Sequence, residues 1–137
     1  GTHPTFGPDS AADSLEGRKI ALCKARIDMH CYEKIKTYLS SKGLVVIETT
    51  AAEHDRQIAV SLALTHFIGR SLSKFGADDL AMDTEGYKRL LHILEVVEHD
   101  TWQLFEDMHR YNPYAKEQRV EFMKAMRSIE ERLAYKV

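Results

Sequence analysis

Seven histidines are the residues of this chain best suited to chemistry near neutral pH: His3, His30, His54, His66, His92, His99 and His109. An imidazole exchanges its proton close to physiological pH, so it can serve as base, acid, hydrogen-bond donor or metal ligand. A metal site needs at least two ligands on one face, commonly four residues apart on a helix. His54 and His66 are twelve residues apart, ~18 Å along an ideal helix and ~120° around it, too far to share an ion. His92 and His99 share a face but stand two turns apart. The spacing argues against a metal centre and leaves proton transfer and hydrogen bonding. The 137 residues hold no G-x-S-x-G nucleophile turn and no glycine-rich phosphate loop. Cys23 and Cys31 fit neither a metal nor a redox spacing and read as free thiols of a reducing compartment.

Two of these histidines lie in the stretch around which the rest is organised, Thr50 to Phe75. Thr50 and Glu53 fit a capping box at a helix start. Ile58, Val60, Leu62, Leu64, Phe67, Ile68, Leu72 and Phe75 then spread around most of the helix circumference, the pattern of a buried helix. So short a chain offers little to bury it in. A second copy is the expected cover, giving an intertwined homodimer through residues 52–75.

The flanking elements follow from period and punctuation. Gly1 to Gly17 holds two of the three prolines and reads as a stiff loop without secondary structure. Lys19 to Cys23 reads as a short buried strand, Asp28 to Ser41 as a helix stopped by Gly43, and Leu44 to Glu48 as a β-branched strand. Strand, helix, strand with short links is a βαβ unit and implies parallel pairing. Two strands are too few for a stable sheet, so the chain begins where a doubly wound domain would be ending. Beyond Phe75, Gly76 to Asp79 punctuates. An apolar helical stretch runs from about Tyr87 to Tyr111, its continuity open near His99 and Asp100. Asn112-Pro113 stops it and restarts a last helix reaching about Tyr135. The expected fold is mainly α: the end of a Rossmann-like α/β sheet (residues 1–49, one βαβ unit) followed by an all-helical domain (residues 50–137).

Composition narrows the partners. Hydrophobic residues at 44% and charged residues at 29% suit a globular chain, not a disordered one. The net charge of -2 and the lack of a basic stripe exclude nucleic acid as an expected partner. No apolar run reaches the ~20 residues of a membrane span. With no signal-peptide pattern, the expected location is cytoplasmic.

One set of motifs goes further. His3-Pro4-Thr5-Phe6-Gly7-Pro8 resembles the HP-x-FGP loop of the prephenate and arogenate dehydrogenases of tyrosine biosynthesis. Glu53-His54-Asp55 is similar to that family's EHD, and Ala63-Leu64-Thr65-His66 to its histidine-bearing segment. Tyr87-Lys88-Arg89 resembles its tyrosine–arginine stretch, and Leu104-Phe105-Glu106-Asp107 with Asn112 the segment leading to its late asparagine. The motifs run in family order from His3 to Asn112. Phe105 stands where many relatives carry Trp or Tyr.

The resemblance implies an NAD- or NADP-dependent oxidative decarboxylation. A hydride passes from the ring carbon bearing the 4-hydroxyl to a nicotinamide while the ring carboxylate leaves as carbon dioxide. It implies His3 as the base at the hydroxyl, on a loop stiffened by Pro4, with His66 and Arg89 binding substrate and His54 and Asp55 in support. The substrate would be prephenate or arogenate. The cofactor would sit mainly on a G-x-G-x-x-G loop in an earlier βαβ unit, absent from these residues, so no cofactor-binding residue is expected here and the chain alone would be inactive. A second reading, favoured by the missing nucleotide loop, is a stand-alone dimerisation or aromatic-metabolite-binding regulatory module without catalysis.

Overall fold

A computed structural model describes residues 1–7 and 11–134. Pro8, which ends the HPTFGP motif, and Tyr135, the expected end of the last helix, lie outside the described residues. The molecule is mostly helical with one small sheet, and it divides into two compact units, Gly1–His54 and Asp55–Val137.

The first unit holds a three-stranded sheet in the order β1-β2-β3, with β1 at Thr2–Pro4, β2 at Lys19–Cys23 and β3 at Val45–Thr49. Helix α1 (Met29–Ser41) links β2 to β3, which pair in parallel from Lys19↔Val45 to Cys23↔Thr49. This is the expected βαβ unit. Ile20, Ala21 and Leu22 are buried, so β2 has no solvent face, as expected of a central parallel strand. Asp28 caps α1 by accepting from the Cys31 backbone N–H at 3.0 Å, and that bond holds its carboxyl below the usual range. At the other end Gly43 takes φ +82°, the left-handed conformation that ends a helix. The buried Tyr32 ties α1 to β3 by donating its hydroxyl to Glu48 at 2.9 Å.

The first residues are not the structureless loop expected. Thr2–Pro4 forms an antiparallel strand on β2, with His3 opposite Ala21 and Pro4 opposite Ile20. Proline lacks an N–H and is tolerated where one side of the strand needs no donor, which an edge position supplies. A three-residue strand is also too short to show an alternating pattern.

One long helix runs from Ala51 to Phe75 in three parts. These are α2 (Ala51–Ile58), a π-helical segment (Ala59–Leu64) and α3 (Thr65–Phe75). Thr50 Oγ1 accepts from the Glu53 N–H at 3.2 Å, as the cap signal predicts. The π segment was not anticipated. Two hydroxyls bond back by four residues, Ser61 within the segment to the Gln57 carbonyl and Thr65 just after it to the Ser61 carbonyl, drawing acceptors away from the regular ladder. Gly76, at φ +83°, ends the helix.

The expected all-round burial of this helix is not found in the single chain. Only Ala59, Ala63, His66 and Gly69 are buried along it, whereas Val60 is 47% and Phe75 84% exposed. Ala59, Ala63 and Gly69 are small because neighbouring helices come close. Ala59 and Ala63 pack on Ala115 with Met108 and Tyr114 around them. A Cβ built on Gly69 would lie 2.8 Å from the buried Val97.

The apolar stretch from Tyr87 to Tyr111, whose continuity was open near His99 and Asp100, is two helices, α4 (Glu85–Glu98) and α5 (Trp102–Tyr111). The break is local chemistry. Thr101 turns extended and accepts from the Leu104 N–H at 3.1 Å, starting a new helix. Asn112 stops α5, and its Oδ1 accepts from the Tyr114 N–H at 2.9 Å before α6 (Ala115–Ala134) begins.

Candidate functional site

The first unit brings two of the singled-out histidines into contact. His3 Nδ1 and His54 Nε2 are 2.7 Å apart, their rings crossed at 72° with centroids 4.9 Å apart. Sheet pairing holds His3 at the centre of β1, with Pro4 following it in register. The first turn of α2 presents His54, whose N–H bonds to the Thr50 carbonyl at 2.9 Å. Two ring nitrogens at this distance share one proton, so one donates and the other accepts. Each ring therefore sets the tautomer of its neighbour.

The second unit builds a different histidine cluster. His66, on α3, is 3% exposed, and its Nδ1 stands 3.4 Å from Asp100 Oδ2 at the break between α4 and α5. One turn on, Arg70 donates to the Asp100 carbonyl and lies with its guanidinium 4.7 Å above the Trp102 ring. On α5, His109 packs edge-on against Phe105 at 4.6 Å and Phe67 at 6.2 Å. Arg119 Nη1 donates to His109 Nδ1 at 2.6 Å. Burial lowers the pKa of His66 against the pull of Asp100. Burial, with the charge of Arg119 added, lowers that of His109 to about 4. Both rings are neutral at pH 7. His66 Nδ1, Arg70 Nε and His109 Nε2 are buried without a hydrogen-bond partner.

The remaining singled-out residues fall elsewhere. Asp55 opens the second unit, and its carbonyl accepts from Asn112 Nδ2 at 2.8 Å. Arg89 lies exposed on α4. Cys23 and Cys31 are free thiols. Among the described residues no three His, Cys, Asp or Glu side chains converge as a metal site would require, and no helix is long and apolar enough to cross a membrane. An open cavity of about 480 Å³ lies beside Arg70 and Val97, but Asp78, Asp79, Glu95 and Glu98 line it. That carboxylate rim repels an acidic substrate, so the cavity is a poor candidate for one.

Sequence reasoning missed Arg70, Asp100, Arg119 and the part played by His109. The four-residue spacing of Phe105 and His109 on one helix face was a usable signal for one contact. The Arg119 contact was not readable, because it crosses the Asn112-Pro113 break between two helices.

A model of the family described as the TYRAAT1-like C-terminal domain matches residues 71–137. Arogenate dehydrogenase 2, chloroplastic, of Arabidopsis thaliana is 33% identical over 138 residues, which is 96% of this chain and 38% of that protein. Arogenate dehydrogenase 1, chloroplastic, of the same plant is also 33% identical, over 96% of this chain and 21% of its own length. A crystal structure of prephenate dehydrogenase from A. aeolicus, in complex with hydroxyphenyl propionate and NAD+, shares the fold with a TM-score of 0.67 at 20% identity. That match covers 99% of this chain and 52% of the solved one. The chain thus spans well under two thirds of the relatives it matches. Over most of its length it is homologous to a part of the arogenate and prephenate dehydrogenases.

Proposed function

We propose that this chain is the C-terminal portion of a prephenate or arogenate dehydrogenase. The complete enzyme would carry out the NAD- or NADP-dependent oxidative decarboxylation of its substrate, yielding 4-hydroxyphenylpyruvate from prephenate. The observation that carries the reading is the His3–His54 bond. It joins two motifs fifty-one residues apart into one proton-handling pair at 2.7 Å, beside homology over most of the chain.

These residues offer no phosphate cradle for a dinucleotide. The chain's own part is to hold the ring acid and manage a proton. With its Nδ1 proton given to His54, His3 keeps a lone pair on Nε2 and can take the proton of a ring hydroxyl, releasing electron density into the ring. His54 is then the group that fixes the working tautomer. Pro4 stiffens the strand end that holds the base. Arg89 would hold a substrate carboxylate by its bidentate fork, with His66 as a donor in the pocket and Asp55 in support through its backbone bond to Asn112. On this reading residues 1–49 close a dinucleotide-binding domain, residues 50–137 bind substrate and dimerise, and the enzyme works in the cytoplasm. The chain alone is inactive and pairs with a second copy through residues 52–75, where Val60 and Phe75 stay exposed.

The test is turnover. The complete gene product, given prephenate or arogenate with either dinucleotide, should reduce the dinucleotide. Tight binding of tyrosine by this chain, with no dinucleotide reduction by the complete product, would overturn the reading in favour of a regulatory module.

A further inference from the structure

Asn112 spends both ends of its side-chain amide, and only one end is needed to start the next helix. The proline that follows disfavours the helical conformation at residue 112, which sits extended at φ -84° and ψ 114° and ends α5. Its Oδ1 accepts from the Tyr114 N–H at 2.9 Å, and its backbone carbonyl accepts from the Ala115 N–H at 3.3 Å. These two bonds form the turn into α6. Its Nδ2 donates elsewhere, to the Asp55 carbonyl at 2.8 Å. The partners settle which end of the amide is which, because a backbone N–H must meet oxygen and a carbonyl must meet N–H.

Other contacts from the same corner land on the same stretch of helix. The Arg56 guanidinium lies 5.0 Å over the Tyr114 ring, and Ala59 packs on Ala115. Asn112, Tyr114 and Ala115 thus hold Asp55, Arg56 and Ala59 respectively. The Nδ2 bond reaches fifty-seven residues back along the chain. It ends on the residue joined to His54 by one planar peptide bond. His54 in turn meets His3 at 2.7 Å, and a hydrogen bond that short tolerates little displacement of either ring.

We propose that Asn112 is a positioning residue for the His3–His54 pair, its Nδ2 bond to the Asp55 carbonyl fixing the turn of α2 that presents His54. It touches no substrate and acts through the backbone. The reaction it serves rests on the functional reading above, and its hold on the histidine pair does not.

The experiment separates the two ends of the amide. Asn112→Asp and Asn112→Ser keep an oxygen for the Tyr114 N–H and lose the amide donor to Asp55. Thr101→Ala, the control, weakens the start of α5 and leaves Asn112 intact. Imidazole ¹⁵N–¹H NMR on the 137-residue chain reads how fast the proton between His3 and His54 exchanges with water. Steady-state kinetics on the complete gene product reads kcat and KM, with circular dichroism to confirm folding. Both Asn112 variants should speed exchange and lower kcat, each by about tenfold, with KM nearly unchanged. Thr101→Ala should alter neither. Unaltered exchange and kcat in folded Asn112 variants would overturn the inference, as would an equal response from Thr101→Ala. Should both Asn112 variants fail to fold, the unsubstituted chain decides. A hydrogen-bond scalar coupling between Asn112 Nδ2 and the Asp55 carbonyl carbon is expected there, and its absence would overturn the inference. Faster exchange in the variants, with no turnover by the complete product, would overturn the functional reading alone. No shared proton between His3 and His54 in the unsubstituted chain would overturn both.

Discussion

The two histidine sites solve opposite problems. In the first unit His3 and His54 bond ring to ring and are only partly buried, so a proton can enter, be shared and leave. In the second unit His66 and His109 are neutral rings in a shell of helices, with guanidinium groups beside them. One arrangement suits transfer of a proton, and the other suits fixed donation to a bound group. Residue type is the same in both, and the neighbours assign the work.

The comparison breaks most easily at His54. Replacing it with Phe should cut turnover of the complete enzyme by about 10²-fold, within the range of general-base effects. His54→Gln should restore part of it, since an amide oxygen can accept the His3 proton. Steady-state kinetics across pH checks this. Loss in kcat with KM nearly unchanged marks a positioning role, and equal activity in Phe and Gln variants would remove it.

The second site should show itself in stability against pH. An unfolded histidine titrates near 6.5, whereas His109 in the fold titrates at about 4. Above pH 6.5 both states are neutral and stability is complete. As pH falls from 6.5 to 4 the unfolded chain takes up a proton that the fold refuses, costing on the order of 3 kcal/mol. Urea unfolding at a series of pH values should show that slope. His109→Phe should flatten it.

Packing behind the second site sharpens the contrast by a smaller amount. Gly69→Ala would push a methyl against Val97, and thermal or urea unfolding should report a loss of about 1–3 kcal/mol from overpacking. Smaller still is Thr101→Ala, which removes the cap that starts α5 and should cost about 1 kcal/mol by the same measurement.

The parts of the fold that were legible in the sequence are those set by local chemistry. Lys19–Cys23 and Val45–Thr49 carry their strand propensity in β-branched and apolar runs. Gly43 and Gly76 mark helix ends by the positive φ that only glycine adopts at no cost. Thr2–Pro4 was not legible, since its pairing with β2 comes from across the sheet. The α4–α5 break was legible only as an open point near His99 and Asp100, because Thr101 lacks an acidic residue three places on and the apolar period runs through it. His3 and His54 could be singled out only because both sit in recognisable motifs. His109 and Arg119 sit in none, and only the fold of α5 against α6 joins them.

The central claim, that His3 is the base of a dehydrogenase, is tested most directly by His3→Ala in the complete gene product. The expected outcome is a fall in kcat of about 10²–10⁴-fold with substrate binding largely kept. Near-full turnover by that variant would contradict it.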